Sequence, residues 1–284
     1  MRFLAGCAQF APKKADVRAN LDSIAQFVRE AAAAKVDVLV FPESSTSGYY
    51  LEGGVLECSL TASALQSELA SRLGGLNSDI DFCLGFYEEH EELLYNSAAY
   101  FSLIQGELKL VQIYRKIFLP TYGTFDEDRF VSRGTELPVF DTRFGKVAIL
   151  ICEDIWHSIM PTLVALQGAQ VLLVPSASPA RGFKGEVPGN VERYERLLKG
   201  IAEEHSIYVL NSMLCGFEGG KGFAGVSSIT DAEGEVIAKS PMLEPHLLVS
   251  EVDLDALAMI RANSPLLSDL KSKWPTLVKI INND

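Results

Sequence analysis

The segment Val147-Ala148-Ile149-Leu150-Ile151-Cys152-Glu153-Asp154-Ile155-Trp156 holds the strongest single clue to the fold. Its first five residues are apolar and mostly β-branched, which predicts a strand that is covered on both faces. Cys152 ends that strand, two acidic residues follow at once, and Pro161 can open a helix that Gly168 stops. A residue at a strand-to-helix turn has an exposed side chain, and the backbone N–H groups of the turn point at one spot. A nucleophile beside an oxyanion hole requires this geometry. The alternative is that Cys152 is an ordinary buried cysteine.

Similar apolar runs and helical patterns alternate along the rest of the chain. Further buried strands are predicted at residues 3–8, 36–41, 82–86, 171–174 and 208–210, and amphipathic helices at 17–32 and 191–202. Strands that alternate with helices are typical of an α/β fold. The turns Gly106-Glu107 and Gly234-Glu235 predict one hairpin in each half of the chain.

The two halves of the chain also resemble each other. Residues 35–43, Lys-Val-Asp-Val-Leu-Val-Phe-Pro-Glu, are similar to residues 169–176, Ala-Gln-Val-Leu-Leu-Val-Pro-Ser. Each half is therefore predicted to contain a β-α-β unit with its own hairpin. Since no Pro-, Gly- or Ser-rich linker separates the halves, we expect them to form one domain.

The composition argues against several classes of protein. The chain has 284 residues and a formal net charge of −12, whereas a nucleic-acid surface needs a basic patch. No apolar run approaches the ~20 residues that cross a bilayer, and the N-terminal segment lacks the layout of a signal peptide. The five cysteines form an odd set without a Cys-x-x-Cys pair, so we expect a reducing, cytoplasmic location. The four histidines match no metal-ligand spacing, and neither a metal nor a cofactor is expected.

Two further segments place charged side chains directly after predicted strands. Glu43 follows Val-Phe-Pro, and Lys116 lies in Tyr-Arg-Lys-Ile-Phe-Leu-Pro. In α/β sheets, the C-terminal ends of strands are where sites gather. The alternatives are that Glu43 caps its turn and that Lys116 is a solvated lysine.

Together, Glu43, Lys116 and Cys152 resemble the Glu-Lys-Cys triad of the nitrilase, or carbon–nitrogen hydrolase, superfamily. The resemblance extends from Phe3 to about Leu267. It implies a four-layer α-β-β-α sandwich built from two similar halves, with a hydrolase domain over residues 1–265. It further implies a homodimer or higher homo-oligomer, with an amphiphilic C-terminal tail, residues 266–284, packed at the dimer interface.

The resemblance also implies a role for each residue. Cys152 attacks the carbonyl carbon and forms a thioester, and Glu43 is the general base for the thiol and then for the deacylating water. Lys116 and the backbone N–H of Glu153 stabilise the oxyanion. A nearby ammonium is expected to lower the pKa of the thiol. A glutamate and a lysine stay charged in a water-free pocket only when they are paired with each other.

The loop after Lys116 resembles more narrowly the glutaminase domain of glutamine-dependent NAD synthetases, in which a tyrosine at the position of Tyr122 lines the substrate pocket. Glu127 matches the supplementary glutamate that positions substrate in many members; the alternative is a solvated charge in an acidic run. The arginine that would hold the α-carboxylate of glutamine is not obvious, and Arg181 is only a candidate. Other residues implied to wall the pocket or contact substrate are Tyr49, Trp156, Ser176, Ser178 and Pro179.

The predicted activity is amidase-type hydrolysis of a small linear amide, with release of a carboxylic acid and ammonia or an amine. Two alternatives stay open: a glutaminase subunit that delivers ammonia to a separate ATP-dependent synthetase, and a nitrilase or carbamoyl-amine hydrolase. The absence of a phosphate-binding SGGxDS-type loop favours a stand-alone amidase over a synthetase, and the intact triad argues against a silent scaffold. A papain-like protease is disfavoured because the chain lacks Cys-Gly-Ser-Cys-Trp, although His157 follows Cys152 closely.

Overall fold

The computed structural model describes residues 1–183 and 185–283, and most of their strands form two six-stranded sheets. The first sheet contains, in spatial order, β14 (His246–Asp253), β1 (Arg2–Gln9), β2 (Val38–Val40), β3 (Ile80–His90), β4 (Leu93–Ile104) and β5 (Glu107–Arg115). The second contains β13 (Val236–Lys239), β12 (Ser228–Thr230), β9 (Tyr208–Met213), β8 (Val171–Ser176), β7 (Gly145–Ile149) and β6 (Val139–Thr142). A separate hairpin consists of β10 (Cys215–Glu218) and β11 (Lys221–Ala224).

The helices include all three that the sequence predicts. They are α1 (Val17–Ala33), α2 (Val55–Cys58), α3 (Ala62–Leu73), α4 (Ile159–Leu166), α5 (Gly189–His205), α6 (Leu257–Asn263) and α7 (Leu266–Asn282). The side chain of Asp16 caps α1 and that of Thr61 caps α3, each by accepting a backbone N–H of the first turn. In the described part of the chain, every helix is too short or too polar to cross a membrane.

The two sheets have the same arrangement of parallel and antiparallel strands. In the first, the parallel strands β1, β2 and β3 are flanked by antiparallel β14 on one side and by the β4–β5 hairpin on the other. In the second, the parallel strands β7, β8 and β9 are flanked in the same way by β6 and by the β12–β13 hairpin. The predicted similarity of the two halves, and the predicted hairpin in each, are confirmed.

The first sheet is covered on both faces, as its continuous apolar runs predict. Val38 and Val40 face a core that contains residues of both sheets, whereas Leu39 and Phe41 face a second core under α1 and α3. Helices α4 and α5 cover the second sheet in turn. The predicted four-layer α-β-β-α sandwich is therefore confirmed.

The C-terminal helix α7 begins at the start of the predicted tail and packs against α4, α5 and α6. Leu267 is its buried apolar contact, whereas five apolar side chains are substantially exposed: Leu266, Leu277, Val278, Ile280 and Ile281. Asp284, the last residue of the predicted tail, lies outside the described residues.

Candidate active site

The turn after β2 holds Glu43 completely buried among hydrogen-bond donors. Its Oε1 accepts from Lys116 Nζ at 2.6 Å and from Asn96 Nδ2 at 2.7 Å, and its Oε2 accepts from the N–H of Ala177 at 2.9 Å. Gly85 on β3 permits this position, because a Cβ there would lie 2.6 Å from the Cα of Glu43. Glu43 is therefore fixed by its neighbours and does not cap its own turn.

Lys116, directly after β5, lies between two carboxylates. Its Nζ is 2.6 Å from Oε1 of Glu43 and 2.7 Å from Oε2 of Glu127, and only 1% of the residue is exposed. Burial disfavours the ammonium, but the two carboxylates outweigh burial and raise the pKa of Lys116 well above its ordinary value. Lys116 is thus a charged, buried group, and the solvated alternative is wrong.

Glu127 is likewise not a solvated charge. It is buried, whereas the neighbouring Asp126 and Asp128 are exposed. Its Oε2 accepts from the hydroxyl of Tyr49 at 3.0 Å, and its Oε1 accepts from Nδ2 of Asn96. Asn96, on β4, therefore bridges both carboxylates. Sequence reasoning missed this role because a single asparagine carries no signal of its own.

Two carboxylates around one ammonium leave an excess of negative charge. Burial and the nearby Glu127 raise the pKa of Glu43, Lys116 and the hydrogen bonds with Lys116 and Asn96 oppose them, and the net result is a pKa of about 7. A general base is most effective when its pKa lies near the working pH. Glu43 is therefore suited to accept and return a proton near neutrality.

Cys152 lies at the predicted turn, where it is the first residue of the 3-10 turn Cys152–Trp156 that follows β7, and α4 begins slightly before Pro161. Its φ of +46° is in the left-handed region, which costs a residue with a Cβ roughly 1–2 kcal/mol. Its Sγ is 3.2 Å from the hydroxyl of Tyr194 and 3.7 Å from the carbonyl oxygen of Ala177. Backbone strain of this kind persists only where the surrounding structure fixes the backbone conformation.

Asp154 supplies much of that constraint. Its buried carboxylate accepts from the N–H groups of Ile151 at 3.0 Å, Ile117 at 3.2 Å and Phe118 at 2.9 Å, and from the hydroxyl of Tyr114 at 2.8 Å. Burial raises its pKa to about 6. One carboxylate thus ties the cysteine turn to the segment that follows the lysine, a role that the sequence analysis did not find.

Lys116 lowers the pKa of the Cys152 thiol, as expected, but the net shift of this pKa is upward. Burial raises the pKa of Cys152 well above its ordinary value, Glu43 raises it further, and Lys116 and the hydrogen bond with Tyr194 only partly oppose these effects. The resting group is therefore a thiol, and its proton must leave as the sulfur attacks.

The tyrosines implied to line the pocket occupy different depths. Tyr49 is buried and reaches Glu127, whereas Tyr122 is 51% exposed. The hydroxyl of Tyr122 donates to the carboxylate of Glu153, with O···O distances of 2.9 and 3.0 Å. Tyr122 therefore lies at the rim of the site, where it holds the side chain of Glu153.

The other residues that are implied to wall the pocket are held by packing and hydrogen bonds with neighbouring side chains. Trp156 packs edge-on against Tyr194, and Oγ of Ser178 accepts from Nδ2 of Asn190 at 3.1 Å. Oγ of Ser176 accepts from Nδ2 of Asn211 at 3.0 Å, Pro179 pairs with Phe223 in an isolated β-bridge, and the guanidinium of Arg181 lies 5.2 Å from the ring centre of Phe125. A cavity of about 260 Å³ adjoins Glu127 and Tyr49; its other walls include Tyr50, Tyr87, Phe125, Phe130 and Lys221.

Comparison with known proteins gives consistent matches over nearly the whole chain. Residues 4–262 match the family described as carbon-nitrogen hydrolase. The chain is 32% identical over 251 residues to the glutamine-dependent NAD(+) synthetase of Thermotoga maritima, which covers 87% of this chain and 42% of that protein. It is 26% identical over 285 residues to the N-carbamoylputrescine amidase of Arabidopsis thaliana, which covers 94% and 91%.

A solved structure also matches this chain over most of its length. It is a mutant of the amidase from Nesterenkonia sp. AN1 with acrylamide added at its active site cysteine. The TM-score is 0.75 at 25% identity, over 92% of this chain and 97% of that chain. The present chain thus has nearly the full extent of this amidase but spans less than half of the NAD synthetase.

Proposed function

We propose that this chain, which belongs to the carbon–nitrogen hydrolase family, hydrolyses the C–N bond of a small linear amide through a thioester on Cys152. One observation carries the proposal. The backbone of Ala177 contacts both Glu43 and Cys152: its N–H donates to the Glu43 carboxylate, and its carbonyl oxygen contacts the Cys152 sulfur. The Glu43 carboxylate also contacts the Lys116 ammonium. A base, a cation and a nucleophile thereby share one buried site.

In acylation, the proton of the Cys152 thiol passes to Glu43 as the sulfur forms a bond to the carbonyl carbon. The π electrons move to the carbonyl oxygen, where Lys116 and the N–H of Glu153 stabilise the charge. When the C–N bond breaks, Glu43 returns the proton to the departing nitrogen. The products of this half-reaction are an amine or ammonia and a thioester.

In deacylation, Glu43 takes a proton from a water molecule whose oxygen attacks the thioester carbonyl. The C–S bond then breaks, its electron pair returns to sulfur, and the proton on Glu43 restores the thiol. Glu127 and Asn96 do not transfer protons in this scheme. They hold Lys116 and Glu43 in position through the contacts described above.

A second candidate is a glutaminase that supplies ammonia to a separate ATP-dependent synthetase. Its support is the similarity to glutamine-dependent NAD synthetases, together with the position of Tyr122 at the rim of the site. The similarity to an N-carbamoylputrescine amidase likewise makes carbamoyl amines candidate substrates.

The test is ammonia release from four classes of compound: ω-amides other than glutamine, carbamoyl amines, nitriles and glutamine. We expect the wild-type protein to hydrolyse ω-amides and the Cys152→Ala variant to hydrolyse none. Hydrolysis that survives in Cys152→Ala would overturn the proposal. A clear preference for glutamine, with co-purification of an ATP-dependent partner, would favour the second candidate.

We also propose that the protein works in the cytoplasm. All five cysteines are free thiols, and three of them besides Cys152 lie in the interior with strongly raised pKa values (Cys7, Cys83 and Cys215). Free thiols are typical of a reducing compartment.

A further inference from the structure

Tyr194 lies directly against the sulfur of Cys152. It belongs to the apolar face of α5, where its spacing with Val191 and Leu198 predicts a core residue, and it is 4% exposed. A buried tyrosine hydroxyl usually requires a polar partner. Here that partner is the sulfur, at 3.2 Å from the hydroxyl oxygen.

The orientation of the Tyr194 ring is fixed by packing. The ring of Trp156 stands at 90° to it, with 5.0 Å between the ring centres, and the guanidinium of Arg193 lies 4.9 Å from the ring centre of Trp156. The hydroxyl is therefore held at the sulfur by groups that are independent of Glu43 and Lys116.

We propose that Tyr194 is a catalytic residue that donates a hydrogen bond to the Cys152 sulfur whenever the sulfur carries negative charge. This inference rests on the proposed function. The hydroxyl acts twice: when the thiol proton leaves for Glu43, and when the C–S bond breaks and its electron pair returns to sulfur. Tyr194 keeps its own proton throughout, consistent with its pKa, which burial and the adjacent Cys152 raise well above the ordinary value.

The inference assigns a function to the hydroxyl oxygen of Tyr194. This function can therefore be tested separately from the packing of the Tyr194 ring. Tyr194→Phe removes that atom and keeps the ring that contacts Trp156. Tyr208→Phe is the matched control, because the Tyr208 hydroxyl donates to a backbone carbonyl, that of Asp253 at 3.1 Å. Thermal unfolding of both variants checks that each is folded.

The measurement is the rate of Cys152 alkylation by iodoacetamide as a function of pH, followed by mass spectrometry of the Cys152 peptide. For Tyr194→Phe we expect the profile to shift to higher pH by about one unit, and kcat to fall about 10- to 100-fold with little change in KM. Tyr208→Phe should match the wild type. Replacing Tyr194 by 3,5-difluorotyrosine, whose hydroxyl is a stronger donor, should shift the profile to lower pH.

A wild-type alkylation profile and a wild-type kcat in Tyr194→Phe would overturn the inference. Because alkylation breaks the C–I bond of iodoacetamide and does not require hydrolysis of its amide, an error in the proposed substrate class leaves the predicted shift in place. Failure of the proposed function has a different signature, which is amide hydrolysis that persists in Cys152→Ala.

Discussion

Lys116 places one buried ammonium within 2.7 Å of the carboxylates of both Glu43 and Glu127. One positive charge cannot neutralise two negative ones, and burial enlarges the energetic effect of the excess. Burial and this excess of negative charge raise the pKa of Glu43 to about 7. The proton that the mechanism must move is therefore exchangeable at neutral pH.

The pH dependence of kcat/KM follows from this arrangement. Glu43 accepts a proton only when it is ionised, so kcat/KM should rise with pH up to about 7 and fall about tenfold per unit below it. Lys116, with its raised pKa, should remain charged across this range. A steady-state profile between about pH 5 and 9 tests this, and a profile without an acid limb would contradict the assignment of Glu43 as the base.

Glu127 should affect positioning and leave the proton transfer intact. Glu127→Gln removes one of the two charges that hold Lys116, and a small misplacement of a reacting group can cost about 100-fold in turnover. Alkylation of Cys152 by iodoacetamide should nevertheless persist. Glu43→Gln should reduce both turnover and alkylation, because the base itself is lost.

Asp128→Asn is the control for this comparison, since it removes an exposed charge from the same turn. Steady-state kinetics and alkylation rates should be those of the wild type in this variant. Unchanged kcat and KM in Glu127→Gln would show that its buried carboxylate has no part in the reaction.

Among the elements, strand β3 controls the position of the turn that carries Glu43. At Gly85, a Cβ would lie 2.5 Å from the backbone nitrogen of Ser44 and 2.6 Å from the Cα of Glu43. Gly85→Ala should therefore displace Glu43, lower the melting temperature and reduce kcat by about 100-fold. Differential scanning fluorimetry and steady-state kinetics measure the two effects.

Gly200→Ala on helix α5 is the matched substitution. Its Cβ would meet nothing within 4 Å, and alanine is favoured over glycine in a helix by up to about 1 kcal/mol. This variant should be fully active and at least as stable as the wild type. If Gly85→Ala behaved in the same way, close packing of β3 against the turn would not matter for the site.

The central strands and the two hairpins could be predicted because their signals are local. Apolar runs predict the parallel strands, and Gly-Glu turns predict the hairpins. Strand β14 was not predicted, because it pairs with β1 across nearly the whole chain, from Arg2 opposite Asp253 onwards. Helix α3 was missed although its buried Leu65, Leu69 and Leu73 recur every four residues. The β10–β11 hairpin was missed because its strands have only four residues each.

Whether a residue of the site could be predicted also depends on whether its signal is local. Glu43, Lys116 and Cys152 lie in recognisable segments directly after strands. Asn96 and Asp154 do not, because their importance arises from burial beside groups that are distant in sequence. The direction of the Cys152 pKa shift also depends on burial, which sequence spacing alone does not report.

On the scale of the whole molecule, the candidate site is assembled from both halves of the fold. Glu43 and Lys116 follow strands of the first sheet, whereas Cys152 and Ala177 follow strands of the second. Strands β2 and β8 lie in the two stretches that resemble each other in sequence, and the residues that follow these strands meet where Glu43 accepts the N–H of Ala177. The site therefore requires that the two halves pack together.

We propose that α7 mediates a homodimer, because its exposed apolar side chains would be covered by a second copy of the chain. The double substitution Ile280→Asp and Ile281→Asp places charges on its most exposed apolar positions and should convert a dimer to a monomer. Leu243→Asp, at an exposed apolar position away from α7 in the sequence, is the control. Sedimentation velocity measures the result, and a wild-type protein that sediments as a monomer would contradict the proposal.

The central claim is that Cys152 carries the acyl group of an amide substrate as a thioester. The most direct measurement is mass spectrometry of the protein after acid quenching during turnover of an ω-amide, with peptide mapping of the adduct. We predict a mass increase equal to that of the acyl group, located on the Cys152 peptide and absent from Cys152→Ala. An acyl adduct on another residue, or turnover that persists in Cys152→Ala, would contradict the account.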